Sequence, residues 1–139
     1  MIFAGLTLAY WSVLVAALLP LFAGWLAKSG TLFKPRREGG YDNHHPRGWL
    51  ADQTGWRARA NAAQSNSFEQ LPFFIGAVLI AHQLGGPQRL IDLLAVSYVV
   101  LRLAYIAAYV GDRATLRSLL WALALIANIA LFFVAGRGV

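Results

Sequence analysis

The sequence predicts an all-α integral membrane protein of four spans, on three observations. Of its 139 residues, 58% are hydrophobic and only 13% charged, against about 25% charged in a soluble average. Four apolar runs reach spanning length, at about residues 2–27, 56–84, 90–110 and 116–136. The first two are separated by one long polar connection, about residues 28–55, and the others by short turns. A chain of this length is a single domain.

The net charge of +6 and pI near 10.3 would suit nucleic acid if the cations shared a polar surface with aromatic residues. They lie between and beside the apolar runs instead, which is the pattern of membrane topology, and nucleic acid is excluded as a partner. There are no cysteines. A disulfide scaffold, a thiolate metal site and a cysteine nucleophile are therefore excluded, so any thiol chemistry must use a substrate's sulfur.

Residues 2–27 carry no charge and are long enough to cross about 30 Å of hydrocarbon as a tilted helix. They are expected to be a span and not a signal peptide: no basic region follows Met1, the apolar stretch is too long, and Lys28 flanks its end. Pro20 is expected to bend the helix, and Tyr10, Trp11 and Trp25 to anchor it at the interfaces.

The connection 28–55 is rich in Gly, Pro and charge. Asp42, His44 and His45 raise a metal site. Adjacent histidines point in different directions, and no further ligand stands at zinc-like spacing, so the expectation is no metal. They read as solvated residues covering the mouth of a site.

The second span opens polar and ends apolar. Arg59, Asn66 and Glu69 fall within about 80° of one another at helical spacing, a polar stripe on one face. Such groups at membrane depth face a bundle interior or a wet cavity, which makes the stripe the first candidate for a functional site. Pro72 is expected to kink the helix where the stripe ends. His82 belongs to the opposite interface, and Gly85-Gly86-Pro87 form the turn. The third span carries Arg102 in its middle, with Tyr105 and Tyr109 within about 60° of the same face. A buried guanidinium calls for an anionic partner, and Glu69 is the best intramembrane candidate. In the fourth span Arg117 stands at the start, with Trp121 and Asn128 following on nearly the same face. Asn128 reads as an interhelical hydrogen bond.

Lys28, Lys34, Arg36, Arg37, Arg47, Arg57 and Arg59 lie at the first connection and Arg113 and Arg117 at the third, against Arg89 and Arg137 on the other side. The positive-inside rule puts the first and third connections in the cytoplasm and both termini outside it. The polar half of the second span, Tyr109 and Arg117 approach that cytoplasmic side, and an anion-binding pocket open to the cytosol follows.

Arg59, Ala63, Asn66, Glu69, Pro72 and Phe74 are spaced R-x-x-x-A-x-x-N-x-x-E-x-x-P-x-F, followed by Arg102-x-x-Tyr105-x-x-x-Tyr109 and Arg117-Ser118. Together with the four-span plan, this resembles the membrane-associated proteins in eicosanoid and glutathione metabolism, the MAPEG family, over essentially the whole chain. The Asp42–Arg47 stretch resembles bacterial members, which implies the inner membrane with periplasmic termini. The resemblance implies a homotrimer of four-helix bundles that binds glutathione near the cytosolic side, between subunits. It implies that Arg59, Asn66, Glu69, Arg102, Tyr105 and Tyr109 bind the tripeptide, and that Arg117, with Ser118 beside it, sits near the sulfur as the catalytic pair. The activity implied is a transferase or peroxidase of the microsomal glutathione transferase type, acting on lipophilic electrophiles that arrive from the lipid. The residues suit this, since arginines and one carboxylate complement glutathione's two carboxylates and ammonium.

Two positions depart from the pattern: Ala62 stands where many members carry an arginine, and Ala58 where they carry an acid. One ligand cation is missing unless Arg57 or a loop residue replaces it. A second reading therefore stays open, a non-catalytic ligand-binding or assembly protein on the same scaffold. A third, a small proton-coupled exporter using Glu69, ranks last, because its carboxylate would belong in the first span, which here has no charge.

Overall fold

The computed structural model describes residues 2–136. After a two-residue antiparallel strand pair, β1 (Ile2–Phe3) and β2 (Leu6–Thr7), come α1 (Leu8–Lys28), a single 3₁₀ turn at Arg36–Glu38, α2 (Pro46–Ala51), α3 (Gly55–Gln83), α4 (Gln88–Val110) and α5 (Ala114–Ala135). Among the described residues three helices, α1, α4 and α5, are long and apolar enough to cross a membrane. At 29 residues α3 is the longest helix, but its polar first half keeps it out of that group. Its helix runs on through Pro72, and α1 through Pro20. The four long helices pack on one another, α1 against α3 and α4, and α5 against α3 and α4.

The first six described residues depart from expectation. Residues 2–7 form the β1–β2 hairpin, and α1 starts only at Leu8. Ala4 and Gly5 turn the chain with φ of 49° and 80°, a left-handed region that ends any helix coming from the N-terminal side. Thr7 then caps α1, its hydroxyl accepting from the Tyr10 N–H at 3.3 Å.

Every long helix buries residues at alternating steps of three and four, with one position skipped in α3 between Ser67 and Phe74. In α1 these are Ala9, Ser12, Ala16, Leu19 and Ala23; in α3, Ala60, Ala63, Ser67, Phe74, Ala77 and Ala81; in α4, Ile91, Ala95, Tyr98, Arg102 and Tyr105; in α5, Ala124, Ala127, Leu131 and Val134. A mean step of 3.5 is the seam of left-handed, knobs-into-holes packing. Half of these seam residues are alanines. Lipid tails are as apolar as a leucine, so membrane helices gain little from burying large side chains and gain more from close backbone approach, which small residues permit.

Helix ends are tied by side chains from neighbouring helices. Arg57 donates from Nη1 to the carbonyls of Ala27 (2.9 Å) and Ser29 (2.7 Å), closing the C-terminus of α1. Arg59 donates from Nε to the Val110 carbonyl at 3.0 Å, closing that of α4. A cation at a helix C-terminus satisfies otherwise unpaired carbonyls and meets the negative end of the dipole. At the opposite end the His82 ring stacks on Tyr10 at 4.1 Å. Its Nδ1–H donates to the Val78 carbonyl at 2.8 Å, so Nε2 accepts, from the Thr7 hydroxyl (3.0 Å) and the Gln88 amide (3.2 Å). Gln88 also donates to Asp92 at 2.9 Å, and Asp92 accepts from the Ala9 backbone N–H at 3.0 Å.

Candidate functional site

Arg102 occupies a seam position of α4 and is 2% exposed. Its Nη2 donates to Asn66 Oδ1 at 2.9 Å and to Ser67 Oγ at 3.1 Å, both on α3. Its guanidinium carbon lies 4.2 Å from the centre of the Tyr105 ring. The expected ion pair with Glu69 is corrected here. Glu69 is exposed on the surface of the chain, and the ion pairs among the described residues are Arg36–Asp42 and Arg37–Glu38. Helix geometry explains this: Ser67 sits on the seam facing α4, Asn66 lies about 100° round the helix from it and Glu69 about 60° further the same way, so the amide stays in reach of Arg102 while the carboxylate lies past the edge of the contact. Two neutral acceptors and a π face serve the cation instead.

From Arg102 a ladder of cations and rings runs to α5. Tyr105 and Tyr109 meet edge to face, centres 5.6 Å apart at 84°. The guanidinium of Arg117, in the first turn of α5, lies 4.5 Å from the Tyr109 ring centre. Thus Asn66, Arg102, Tyr105, Tyr109 and Arg117 form one contiguous set across three helices, and Glu69 follows Asn66 by less than one turn of α3. Arg59 stands beside this set through its bond to Val110, the residue after Tyr109. Ser118 is separate: it is exposed, and its hydroxyl donates to the Ala114 carbonyl of its own helix at 3.1 Å.

Ser67 is the functional neighbour that the sequence pattern left out. Its signal was burial of a small hydroxyl one residue after Asn66, four residues beyond Ala63 on the seam. Arg57, a possible replacement for the cation missing at Ala62, is committed to the carbonyls of α1. Asn128 is also corrected. It is fully buried, yet among the described residues neither its Oδ1 nor its Nδ2 has a hydrogen-bond partner. Asp42 in the long connection accepts from the His44 backbone N–H at 2.9 Å and pairs with Arg36 at 3.2 Å.

A cavity of about 530 Å³ opens on the other flank of α3, lined by Lys28, Arg47, Asn61, Gln64 and Phe68 among others. None of the eight residues that the resemblance assigns to the site lines it. One helix therefore carries two polar flanks, the stripe with its ladder and this basic cavity.

Comparison with curated proteins returns no match. The model of the MAPEG family matches residues 8–137, a span that holds the whole ladder, the stripe and both polar flanks of α3. The chain belongs to the MAPEG family, and it is a multi-pass membrane protein of the kind concerned with glutathione and eicosanoid metabolism.

Proposed function

We propose that the protein is a glutathione-dependent transferase or peroxidase acting on lipophilic electrophiles, and that it works as a homotrimer of four-span bundles in the inner membrane of a bacterium, with both termini periplasmic. The observation that carries this reading is the ladder from Asn66 and Arg102 through Tyr105 and Tyr109 to Arg117. It presents a half-buried guanidinium beside a phenol at the end of the molecule where the basic connections lie. In this reading copies packed side by side set the stripe of one α3 against the basic cavity of the next, so that the site is shared between subunits.

In this reading Arg59 uses its two terminal amino groups, which the Nε bond to Val110 leaves free, to hold a glutathione carboxylate. Glu69 takes the ammonium, and the Asn66 amide, oriented by Arg102, bonds the peptide. Arg102 and Tyr105 support the site from behind, and the Tyr109 hydroxyl completes it. Arg117 lies by the sulfur, where a guanidinium favours the thiolate over the thiol. The thiolate attacks the electrophile, a carbon–sulfur bond forms, and the leaving group departs with its electron pair. With a hydroperoxide the thiolate attacks the O–O bond; a second glutathione then gives the disulfide, one alcohol and one water. Ser118, on the exposed side of the same turn, is available to the leaving group.

The test is glutathione binding to the detergent-purified protein by calorimetry, with ultraviolet difference absorbance for bound thiolate on the same sample. The expected result is binding with a thiolate signal that Arg117→Ala removes while binding persists. No binding at millimolar glutathione overturns the proposal. It would favour the non-catalytic reading, which Ala62 supports, because the nearby Arg57 is already spent on α1.

A further inference from the structure

We propose that the excursion between Thr31 and Tyr41 is a lipid-binding foot. Leu32 and Phe33 enter the outer acyl region, while Lys34 and Arg37 hold phosphate groups of acidic phospholipids. The excursion is a closed, ordered loop. The Thr31 carbonyl accepts from the Lys34 N–H (3.2 Å) and the Tyr41 N–H (3.0 Å), which forms its neck. Buried Thr31 is tied back to α1 by its hydroxyl, which donates to the Lys28 carbonyl at 2.6 Å. Within it the Glu38 and Gly40 N–H groups both donate to the Pro35 carbonyl. Tyr41 packs edge-on against Trp49 and lies under the Lys28 ammonium.

What this frame holds out is unusual for a surface facing water. Phe33 is completely exposed and Leu32 is 54% exposed, and Trp25 on the last turns of α1 is 70% exposed. Exposed apolar groups of this size, rimmed by charge, mark a contact surface. Their neighbours are three cations, Lys34, Arg36 and Arg37, and one acid, Glu38. Arg36 is engaged by Asp42, whereas Arg37 reaches Glu38 only at 3.7 Å with its side chain 85% exposed.

Position decides the occupant. The neck begins three residues beyond Lys28, the end of a helix of membrane-crossing length, so the excursion leaves the bilayer at head-group depth. A closed loop with exposed apolar residues in the turn at its neck and exposed cations beside them matches the two layers of an acidic leaflet. Because the loop is already folded, little chain entropy is lost on docking.

The chain's lack of cysteine supplies the test. Leu32→Cys takes a single environment-sensitive fluorophore and leaves Phe33 in place, in the full-length protein reconstituted into nanodiscs of phosphatidylcholine with or without phosphatidylglycerol. Quenching by lipids brominated on their acyl chains reports insertion, and quenching by aqueous iodide reports exposure. The expected result is strong acyl-chain quenching with phosphatidylglycerol, less without it, and a loss in Phe33→Ser. Each of Lys34→Gln and Arg37→Gln should lower the inserted fraction ratio by about fivefold. Unchanged melting temperatures would show that these variants keep the fold. Equal acyl-chain quenching in both lipids overturns the proposal, as does iodide quenching alone. Protection from both quenchers, in detergent as well as in lipid, also overturns it and assigns the surface to a second copy of the chain.

Discussion

Arg102 donates to Asn66 across 2.9 Å from a position that is 2% exposed, so the one cation buried in the helix seam among the described residues is held by an amide and not by a carboxylate. The two ends of this bond should differ when cut. Asn66→Leu leaves a buried guanidinium with only Ser67 and a ring, whereas Arg102→Met leaves a neutral amide and hydroxyl unpaired, at about 1–3 kcal/mol. Asn66→Leu is expected to be the more destabilising of the two in thermal unfolding of the detergent-solubilised protein. Equal losses would mean that the guanidinium finds another partner.

Glu69, exposed and without an ion pair among the described residues, contributes little to folding. Glu69→Gln should leave stability within about 0.5 kcal/mol of the parent and weaken glutathione binding by about tenfold, the worth of one hydrogen bond to a charged group. Melting curves and calorimetry on the same preparation separate the two. A large fall in melting temperature would restore it to a structural role.

Asn128 has no hydrogen-bond partner for either amide atom among the described residues. Replacing it with leucine, of similar size, removes two unsatisfied groups and should stabilise the protein by about 1 kcal/mol. A melting temperature that falls in Asn128→Leu would show that a water or a neighbouring subunit satisfies the amide.

In the long connection the His44 backbone N–H, and then the Arg36 guanidinium, hold the Asp42 carboxyl below the usual carboxylate range. A carboxylate favoured by the folded loop stabilises it fully above the ordinary aspartate value of about 4, and that stabilisation fades as pH falls through the lower folded value. Anisotropy of a label at Leu32→Cys in detergent should therefore hold steady from about pH 7 to pH 5 and drop below about pH 4. Adding Asp42→Asn should lower it throughout and remove the acid step.

Much of this was legible in the sequence because the signals were long. The later helices start and stop within two residues of the apolar runs that announced them, and the Arg102–Tyr105–Tyr109 spacing put three ladder members on one face. Short-range conformation was less visible. Residues 2–7 continue an uncharged run, so only Gly5 and the capping hydroxyl of Thr7 distinguished hairpin from helix. Pro46, a favoured first helical residue, marked α2 inside what read as loop. Pairing was misjudged for a physical reason: charge suggested Glu69 for Arg102, but rotation about α3 put neutral Asn66 and Ser67 in reach. Asn128 resisted in the opposite sense, since spacing can place an amide on a buried face and says nothing about what opposes it.

The backbone N–H of Ala9, in the first turn of α1, is accepted by a carboxylate that lies 83 residues further along the chain, on Asp92. The first four N–H groups of any helix lack partners within it, and one left bare in hydrocarbon costs several kcal/mol. At about 5–20 residues per second, this acceptor arrives seconds after α1 has been made. Until α4 enters, the N-terminal end of α1 must stay where water can serve it. The final depth of the first helix is thus settled by α4, the second of the three apolar ones, and insertion of this small chain is completed backwards.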